Sequence, residues 1–340
     1  MQGKIIRGVG GFYYVHVPSI GLLECKAKGA FRNRRVKPLV GDNVDVTILD
    51  EANALGNIEE ILPRHSELIR PAVANVDQAI VIFAASYPKP NINLLDRFLL
   101  MMQWQDVPVS VCFNKLDTAD DGFIEEYTNV YKDSGASLFF TSTYDGKGLE
   151  ELHQSLIGKT TVLAGPSGVG KSSVMNALFP EADMAIGEIS TKIKRGKHTT
   201  RHSELFSLPD QTYVMDTPGF TSLLLPELEK EELREYYQEF RPYALQCRFL
   251  GCAHINEPDC GVKEALAQGK MSSSRYENYK LFYEELKNRK LIGRCIHRLV
   301  YERMEKKYET VGTVNLVGRF YLPGRAIETI AKALYTLPPY

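Results

Sequence analysis

Some residues of this 340-residue chain have the types and spacing to do chemistry. Foremost is Gly165-Pro166-Ser167-Gly168-Val169-Gly170-Lys171-Ser172, which fits G-x-x-x-x-G-K-[ST] behind the apolar run Thr160-Thr-Val-Leu-Ala164. Strand, tight glycine turn and helix is the context that a phosphate-binding loop requires. The glycines let the backbone curl so that successive N–H groups face phosphate oxygens. The helix opening at Lys171 adds its positive end. Lys171 is placed to reach the β- and γ-phosphates of a nucleotide, and Ser172, with Ser173 behind it, to offer a hydroxyl to Mg²⁺.

A second group reads the base. Asn114-Lys115-Leu116-Asp117 follows the apolar run Val107–Phe113 and has the N-K-x-D form. The Asp117 carboxylate can accept from both the ring N–H and the exocyclic amine of guanine. Adenine lacks that donor pair and would leave a buried carboxylate unpaired. The stem of Lys115 can lie over the base, and Asn114 can tie the base loop to the phosphate loop. Thr141-Ser142-Thr143, after the run Ala136–Phe140, fits a further guanine-contacting loop in which Ser142 is the expected contact.

Residues that would sense the γ-phosphate come last. Thr212-Tyr-Val-Met-Asp216-Thr-Pro-Gly219 reads as a strand ending in D-x-x-G. Asp216 would hold Mg²⁺ through water and the Gly219 N–H would sense the γ-phosphate. Upstream, Lys192–His202 occupies the place of a first switch segment, where Thr200 or Thr199 would complete the magnesium shell. The sequence does not choose between the two threonines. Phe220 stands where many GTPases have a glutamine that orients the attacking water, and a phenyl ring does not do that. His198, an imidazole in the switch segment, is the expected water-positioning group.

A third group suits a metal. Cys247, Cys252, His254 and Cys260 form C-x₄-C-x-H-x₅-C, a closed Cys₃His donor set of the structural zinc type. Cys25, Cys112 and Cys295 stand alone and read as small buried hydrophobes or free thiols.

These residues need elements to hold them, and composition allows for several domains. The chain is 44% apolar and 24% charged with a net charge of −1, so nucleic-acid binding would depend on local basic stretches. The N-terminus has no secretory pattern and no stretch has the length of a membrane span, so a cytoplasmic protein without a membrane partner is expected. Residues 1–68 alternate in polarity over segments such as 11–17, 22–28, 43–49 and 56–62, and suit an oligonucleotide-binding (OB-fold) β-barrel of about five strands. Its stretch from Lys26 to Lys37 carries six basic residues, Phe31 and no acid, a composition that could hold a phosphate backbone and stack a base. Residues 69–225 alternate strands (75–84, 107–113, 136–140) with helices (94–103, 121–133), which implies a parallel α/β sheet. Residues 226–290 form the metal-binding segment, mainly α, with a helix over 272–290 packed through Tyr276, Tyr279, Leu281, Phe282 and Leu286. Residues 291–340 carry a net charge of +4, a possible helix at 324–334 and no motif that separates an RNA-binding tail, a packing appendage and a non-native extension.

The order of the motifs is itself informative. N-K-L-D and Thr141–Thr143 precede the phosphate loop, and D-T-P-G follows it, so a GTPase site can form only on a circularly permuted sheet. That order, a preceding β-barrel and the Cys₃His spacing resemble the circularly permuted GTPases of the bacterial ribosome small-subunit-dependent GTPase A family over residues 1 to about 290. The resemblance implies GTP hydrolysis late in maturation of the 30S ribosomal subunit, with GTP and GDP, 16S rRNA and the subunit as partners, stimulation by the subunit, and a histidine of the switch segment in catalysis. Its implied cofactors are one structural Zn²⁺ and Mg²⁺ with GTP, and a monomer is expected. Two rivals remain at this stage. An ATP-hydrolysing protein is opposed by Asp117, and a non-enzymatic RNA-binding factor is kept open by Phe220.

Overall fold

The computed structural model describes residues 1–27, 37–69, 71–180, 204–216 and 223–289. Five strands close the N-terminal barrel: β1 (Gln2–Val9), β2 (Phe12–Val17), β3 (Gly21–Ala27), β4 (Asn43–Asp50) and β5 (Leu55–Ile61), in the order β1-β2-β3-β5-β4. β3 and β5 run parallel while the other pairs are antiparallel. Side chains alternate across each strand. Ile5, Val15, Val17, Leu23, Cys25, Val44, Val46 and Ile58 therefore fill the interior. A small hairpin, β6 (Glu67–Leu68) with β7 (Val73–Ala74), leads out of the barrel.

The central sheet has six strands: β8 (Gln78–Ala84), β9 (Val109–Asn114), β10 (Ser137–Phe140), β11 (Thr160–Ala164), β12 (Phe206–Leu208) and β13 (Thr212–Asp216). Their spatial order is β10-β9-β8-β11-β13-β12. All neighbours are parallel except the edge strand β12, antiparallel to β13. The chain thus lays down one half of the sheet outward from β8, returns to the centre with β11, and completes the other half. β8 is buried along its whole length because both faces are covered. Ala79, Val81 and Phe83 point to the side of helices α1 (Ile92–Trp104) and α2 (Phe123–Tyr131). Ile80, Ile82 and Ala84 point to the side of α3 (Leu149–Leu156) and α4 (Lys171–Leu178). Helix α1 starts where the Asn91 side chain accepts from the Leu94 N–H at 3.0 Å.

Short helices α5 (Arg241–Ala244) and α6 (Gly261–Ala267) and a long helix α7 over residues 273–289 surround a third core, built on Leu233, Tyr237, Phe240, Tyr276, Tyr279, Phe282 and Leu286. The expectation for Leu281 fails: it is 59% exposed. Two residues beyond Tyr279 turn a helix by about 200°, so Leu281 points away from the face that Tyr279, Phe282 and Leu286 share. Cys25 and Cys112 are buried thiols.

Several expectations lie outside the described residues. These are most of the Lys26–Lys37 basic stretch with Phe31, the switch segment with His198, Thr199 and Thr200, residues Thr217–Phe220 including Gly219, Cys295, and all of 291–340.

Candidate functional site

The phosphate loop leaves the C-terminal end of β11 at the middle of the sheet and enters α4 at Lys171. Gly165 has φ +140° and Gly170 φ +93°, both in the half of conformational space that side chains avoid. Space forbids a side chain as firmly as torsion does. A Cβ on Gly165 would lie 2.1 Å from the Ile82 carbonyl oxygen, and one on Gly170 would lie 2.5 Å from Asn114 Nδ2. Pro166, Ser167, Gly168 and Val169 form the turn, with Val169 buried beneath it and Ser167 and Gly168 exposed above. Lys171 curls back over the loop, its Nζ donating to the carbonyls of Gly165 at 3.0 Å and Pro166 at 2.9 Å. Ser172 and Ser173 stand in the first turn of α4, where unpaired N–H groups and the helix dipole favour an anion.

The base loop at the end of β9 is bonded to the phosphate loop. Asn114, buried, donates from Nδ2 to the Val169 carbonyl at 3.1 Å and accepts at Oδ1 from Thr141 Oγ1 at 3.3 Å. Lys115 adopts the left-handed conformation, φ +64°, and its Nζ donates to the carbonyls of Gly168 at 2.7 Å and Tyr87 at 2.8 Å. Those bonds stretch its stem along the edge of the cleft. Ser142 Oγ donates to Asp117 Oδ1 at 2.8 Å, which joins the loop after β10 to the Asp117 carboxylate. Ser142 Oγ also accepts from the Tyr144 N–H at 3.2 Å, which holds the serine in this orientation. Leu116 continues the loop, its N–H donating to the Thr141 carbonyl at 3.0 Å.

One expectation about this loop changes. Asp117 is exposed, not buried. A bound base would itself supply the burial that makes an unpaired carboxylate costly, so discrimination begins only when the ring is seated. Reading the sequence also gave no role to Thr141 or Tyr87. Thr141 stood inside a recognised triplet, so its hydroxyl was available as a signal. Tyr87 acts through its backbone carbonyl, and no residue type announces that.

Asp216 ends β13, which lies against β11 in a register that pairs Leu163 with Asp216. The aspartate therefore sits one strand over from the start of the phosphate loop. Thr199, Thr200, Gly219 and His198 are outside the described residues and so have no place in this geometry.

The second site is the Cys₃His cluster. One ligand atom each from Cys247, Cys252, His254 and Cys260 lies within 4.8 Å of the others. The Cys247 and Cys260 sulfurs are 3.8 Å apart, and His254 Nδ1 is 3.6 Å and 3.4 Å from them. Tetrahedral zinc with Zn–S of about 2.3 Å and Zn–N of about 2.0 Å requires edges of about 3.8 Å and 3.5 Å. Cys247, His254 and Cys260 therefore already stand at the edges of such a site, and the Cys252 sulfur lies within 4.8 Å of them. The chain turns sharply to make this possible, with His254 at φ +59° and Gly251 at φ +80°. Backbone carbonyls of the turn are held from outside. Tyr276 Oη donates to the His254 carbonyl at 2.6 Å, Tyr279 Oη to that of Ala253 at 2.5 Å, and Arg234 Nη1 to that of Cys252 at 3.0 Å. Without a cation, burial pushes the Cys252 thiol up to about 12 and lowers the pKa of the His254 imidazole. A cation is what would make thiolates of the cysteines.

Residues 61–226 match the family model for the RsgA GTPase, and residues 2–55 match that for the RsgA N-terminal domain. A small ribosomal subunit biogenesis GTPase RsgA from Agathobacter rectalis is 56% identical over 299 residues, covering 85% of this chain and 99% of its own. Its counterpart from Alkaliphilus metalliredigens is 49% identical over 286 residues, 84% of this chain and 98% of its own. Among solved structures, YjeQ from Thermotoga maritima superposes with a TM-score of 0.71 at 35% identity, over 84% of this chain and 98% of its own. YloQ, described as a circularly permuted GTPase, gives a TM-score of 0.69 at 36% identity, over 85% of this chain and 95% of its own. The relatives are covered almost end to end, while part of this chain has no counterpart in them.

Proposed function

The chain belongs to the RsgA GTPase family, and from that premise we propose that it hydrolyses GTP in the late maturation of the small ribosomal subunit. The observation that carries this reading is the bonded bridge between base loop and phosphate loop, Asn114 to Val169 and Lys115 to Gly168, on a sheet whose strand order is permuted.

Each residue has a task in it. Asp117, oriented by Ser142, accepts the two guanine donors, and the extended stem of Lys115 lies along the ring. Leu116 keeps the loop in register. Backbone N–H groups of residues 165–173 and the start of α4 oppose the phosphate charge, while Lys171 exchanges its two carbonyl partners for phosphate oxygens. Mg²⁺, when bound, neutralises charge on the β- and γ-oxygens, and Ser172, Asp216 and Thr200 or Thr199 would hold it. Gly219 senses the γ-phosphate. Phe220 leaves the attacking water without a glutamine, and His198 fills that role when the partner is bound. The zinc ion held by Cys247, Cys252, His254 and Cys260 is structural, since four protein donors leave no open position for substrate.

The proposed division is residues 1–68 and 226–290 as two grips on 16S rRNA, residues 69–225 as the GTPase, and 291–340 as an extension. The protein would work as a cytoplasmic monomer, and no helix among the described residues is long and apolar enough to cross a membrane. The test is GTP turnover with and without 30S subunits, in wild type and His198→Ala. Stimulation by subunits that is lost in the variant is the expected result. Absence of stimulation in wild type would remove the ribosomal reading, and an unchanged variant would remove His198 from the mechanism.

A further inference from the structure

Among the described residues, strands β1 and β2 of the barrel meet the GTPase sheet at its β12–β13 edge. Edge strand β12 has only three residues and, among the described residues, pairs as a strand only with β13. So short an edge has little stability of its own. The barrel supplies what it lacks. The Leu205 N–H donates to the Ile6 carbonyl of β1 at 2.8 Å, and Arg7 bridges Glu204 in antiparallel fashion. His16 of β2 then binds both strands at one rung. Its Nδ1 lies 2.9 Å from Tyr213 Oη and 3.2 Å from Ser207 Oγ, and Ser207 and Tyr213 are register partners across β12 and β13. The Lys4 ammonium sits 5.3 Å from the Tyr213 ring centre.

These contacts lie close in sequence to the reacting end. Tyr213 is three residues before Asp216 in an extended strand, about 10 Å along it. The contacts are also easy to change. Arg7 Nη1 is 3.4 Å from Glu204 Oε1, at the long end of hydrogen bonding, with both side chains more than a third exposed. Arg7 Nε is buried without an acceptor, and the guanidinium lies 4.0 Å from the Tyr14 ring centre. A donor left unsatisfied marks a contact with little to lose on rearranging.

We propose that Arg7 and His16 couple the barrel to the nucleotide site and act on the stimulated rate alone: through them RNA gripped by the barrel shifts β12 and β13 and so resets the magnesium side of that site. The inference rests on the proposed roles of Asp216 and of the small subunit. Coupling of this kind has a structural minimum, two sites joined by an element that both can bias, and β12 with β13 is that element.

The test uses the full chain. GTP turnover with and without 30S subunits is measured for wild type, Arg7→Glu, Glu204→Arg and the double reversal, with co-sedimentation to follow subunit binding. Unstimulated turnover and GDP affinity should stay within about twofold, because exposed ion pairs contribute little. Stimulation should fall by at least about fivefold in each single variant, the low end of allosteric coupling, and return in the double reversal. Restoration is the decisive arm, since the double variant still lacks Arg7. An Arg7 that merely touched RNA phosphate would not be rescued. Singles stimulated like wild type, or a double no better than they are, would overturn the inference. A second measurement needs no ribosome. Amide exchange across residues 4–7 and 204–208 should differ between GDP and a non-hydrolysable GTP analogue. Identical exchange would overturn the coupling and leave the GTPase reading intact, whereas wild type unstimulated by subunits would sink that reading first.

Discussion

The two junctions that flank the GTPase sheet are built on opposite principles. Toward the C-terminus, α1 meets α7 through buried charge. Arg275, 3% exposed, donates to Asp96 at 2.6 Å and to Glu239 at 2.8 Å, and its guanidinium also faces the rings of Tyr131 and Tyr237. Asn278 donates to the second oxygen of Asp96 at 2.6 Å, and Arg97 pairs with both oxygens of Glu285. Beneath this lies an aromatic lattice of Tyr237, Phe240, Tyr276 and Tyr279, in which the Tyr276 and Tyr279 hydroxyls hold the turn of the Cys₃His cluster. Toward the N-terminus, the barrel joins β12 and β13 through a half-exposed ion pair, one imidazole and one backbone bond. Buried charge resists partial opening because each group left behind would be unpaired in a dry interior. Exposed contacts separate at little cost because water replaces them. One end of the sheet is braced, and the other is free to report.

Removing zinc should do the most to break this contrast. A structural zinc site carries of the order of 10 kcal/mol of apparent binding free energy that is also folding free energy. Chelation should therefore unfold the region around residues 247–289 while the barrel and sheet keep their amide-exchange protection. Uniform loss across the chain would show that the two ends are not independent.

Arg275→Ala comes next. It leaves Asp96 and Glu239 buried without their cation and should lower stability by about 3–5 kcal/mol. Denaturant unfolding measures this, and a cost below about 1 kcal/mol would mean that water reaches the network.

A smaller effect separates the junctions by pH. Burial raises the pKa of Glu239, whose Oε2 has no partner and whose single cation is shared with Asp96. Between its ordinary value near 4.5 and the raised one, the folded protein holds a proton that the unfolded chain has shed. Stability from this group is thus full at the acid end of that window and falls as pH rises through the folded value. Burial lowers the pKa of His16. Below 6.5 the unfolded chain binds a proton that the folded barrel refuses, so this junction weakens on acidification. Thermal unfolding against pH should lose the first trend in Glu239→Gln and the second in His16→Asn. Matching slopes in both variants and wild type would remove the contrast. Smallest of all is Arg7→Ala, expected to cost below about 1 kcal/mol by the same denaturant measurement. A loss as large as that of Arg275→Ala would erase the distinction.

The sequence made the reacting parts legible because each is a local pattern. Gly165–Ser172, Asn114–Asp117 and the Cys₃His spacing are fixed offsets that physics ties to one geometry. Fold class followed from alternation and from the order of those offsets. What brings distant segments together was not legible. Asp96 reads as the polar side of an amphipathic helix, yet it is buried against Arg275, 179 residues away, and nothing local to either residue says so. His16 is one histidine in a strand until Tyr213 arrives 197 residues later. Leu281 was misjudged by hydrophobicity alone, where helical phase decides. Asp117 was given burial that only a bound base would provide.

The strand order has a consequence for how the protein is made. Chains emerge N-terminus first at about 5–20 residues per second. β8, β9 and the base-reading loop therefore leave the ribosome some seconds before β11 and the phosphate loop. During that interval the nascent chain has the Asn114–Asp117 loop and lacks the Gly165–Ser172 loop to which it will be bonded. The sheet's central position next to β8 waits open for β11. A nucleotide that spans both loops, as proposed, could be held only after the late half has inserted beside the early one, so the first GTP to be held would report a completed sheet.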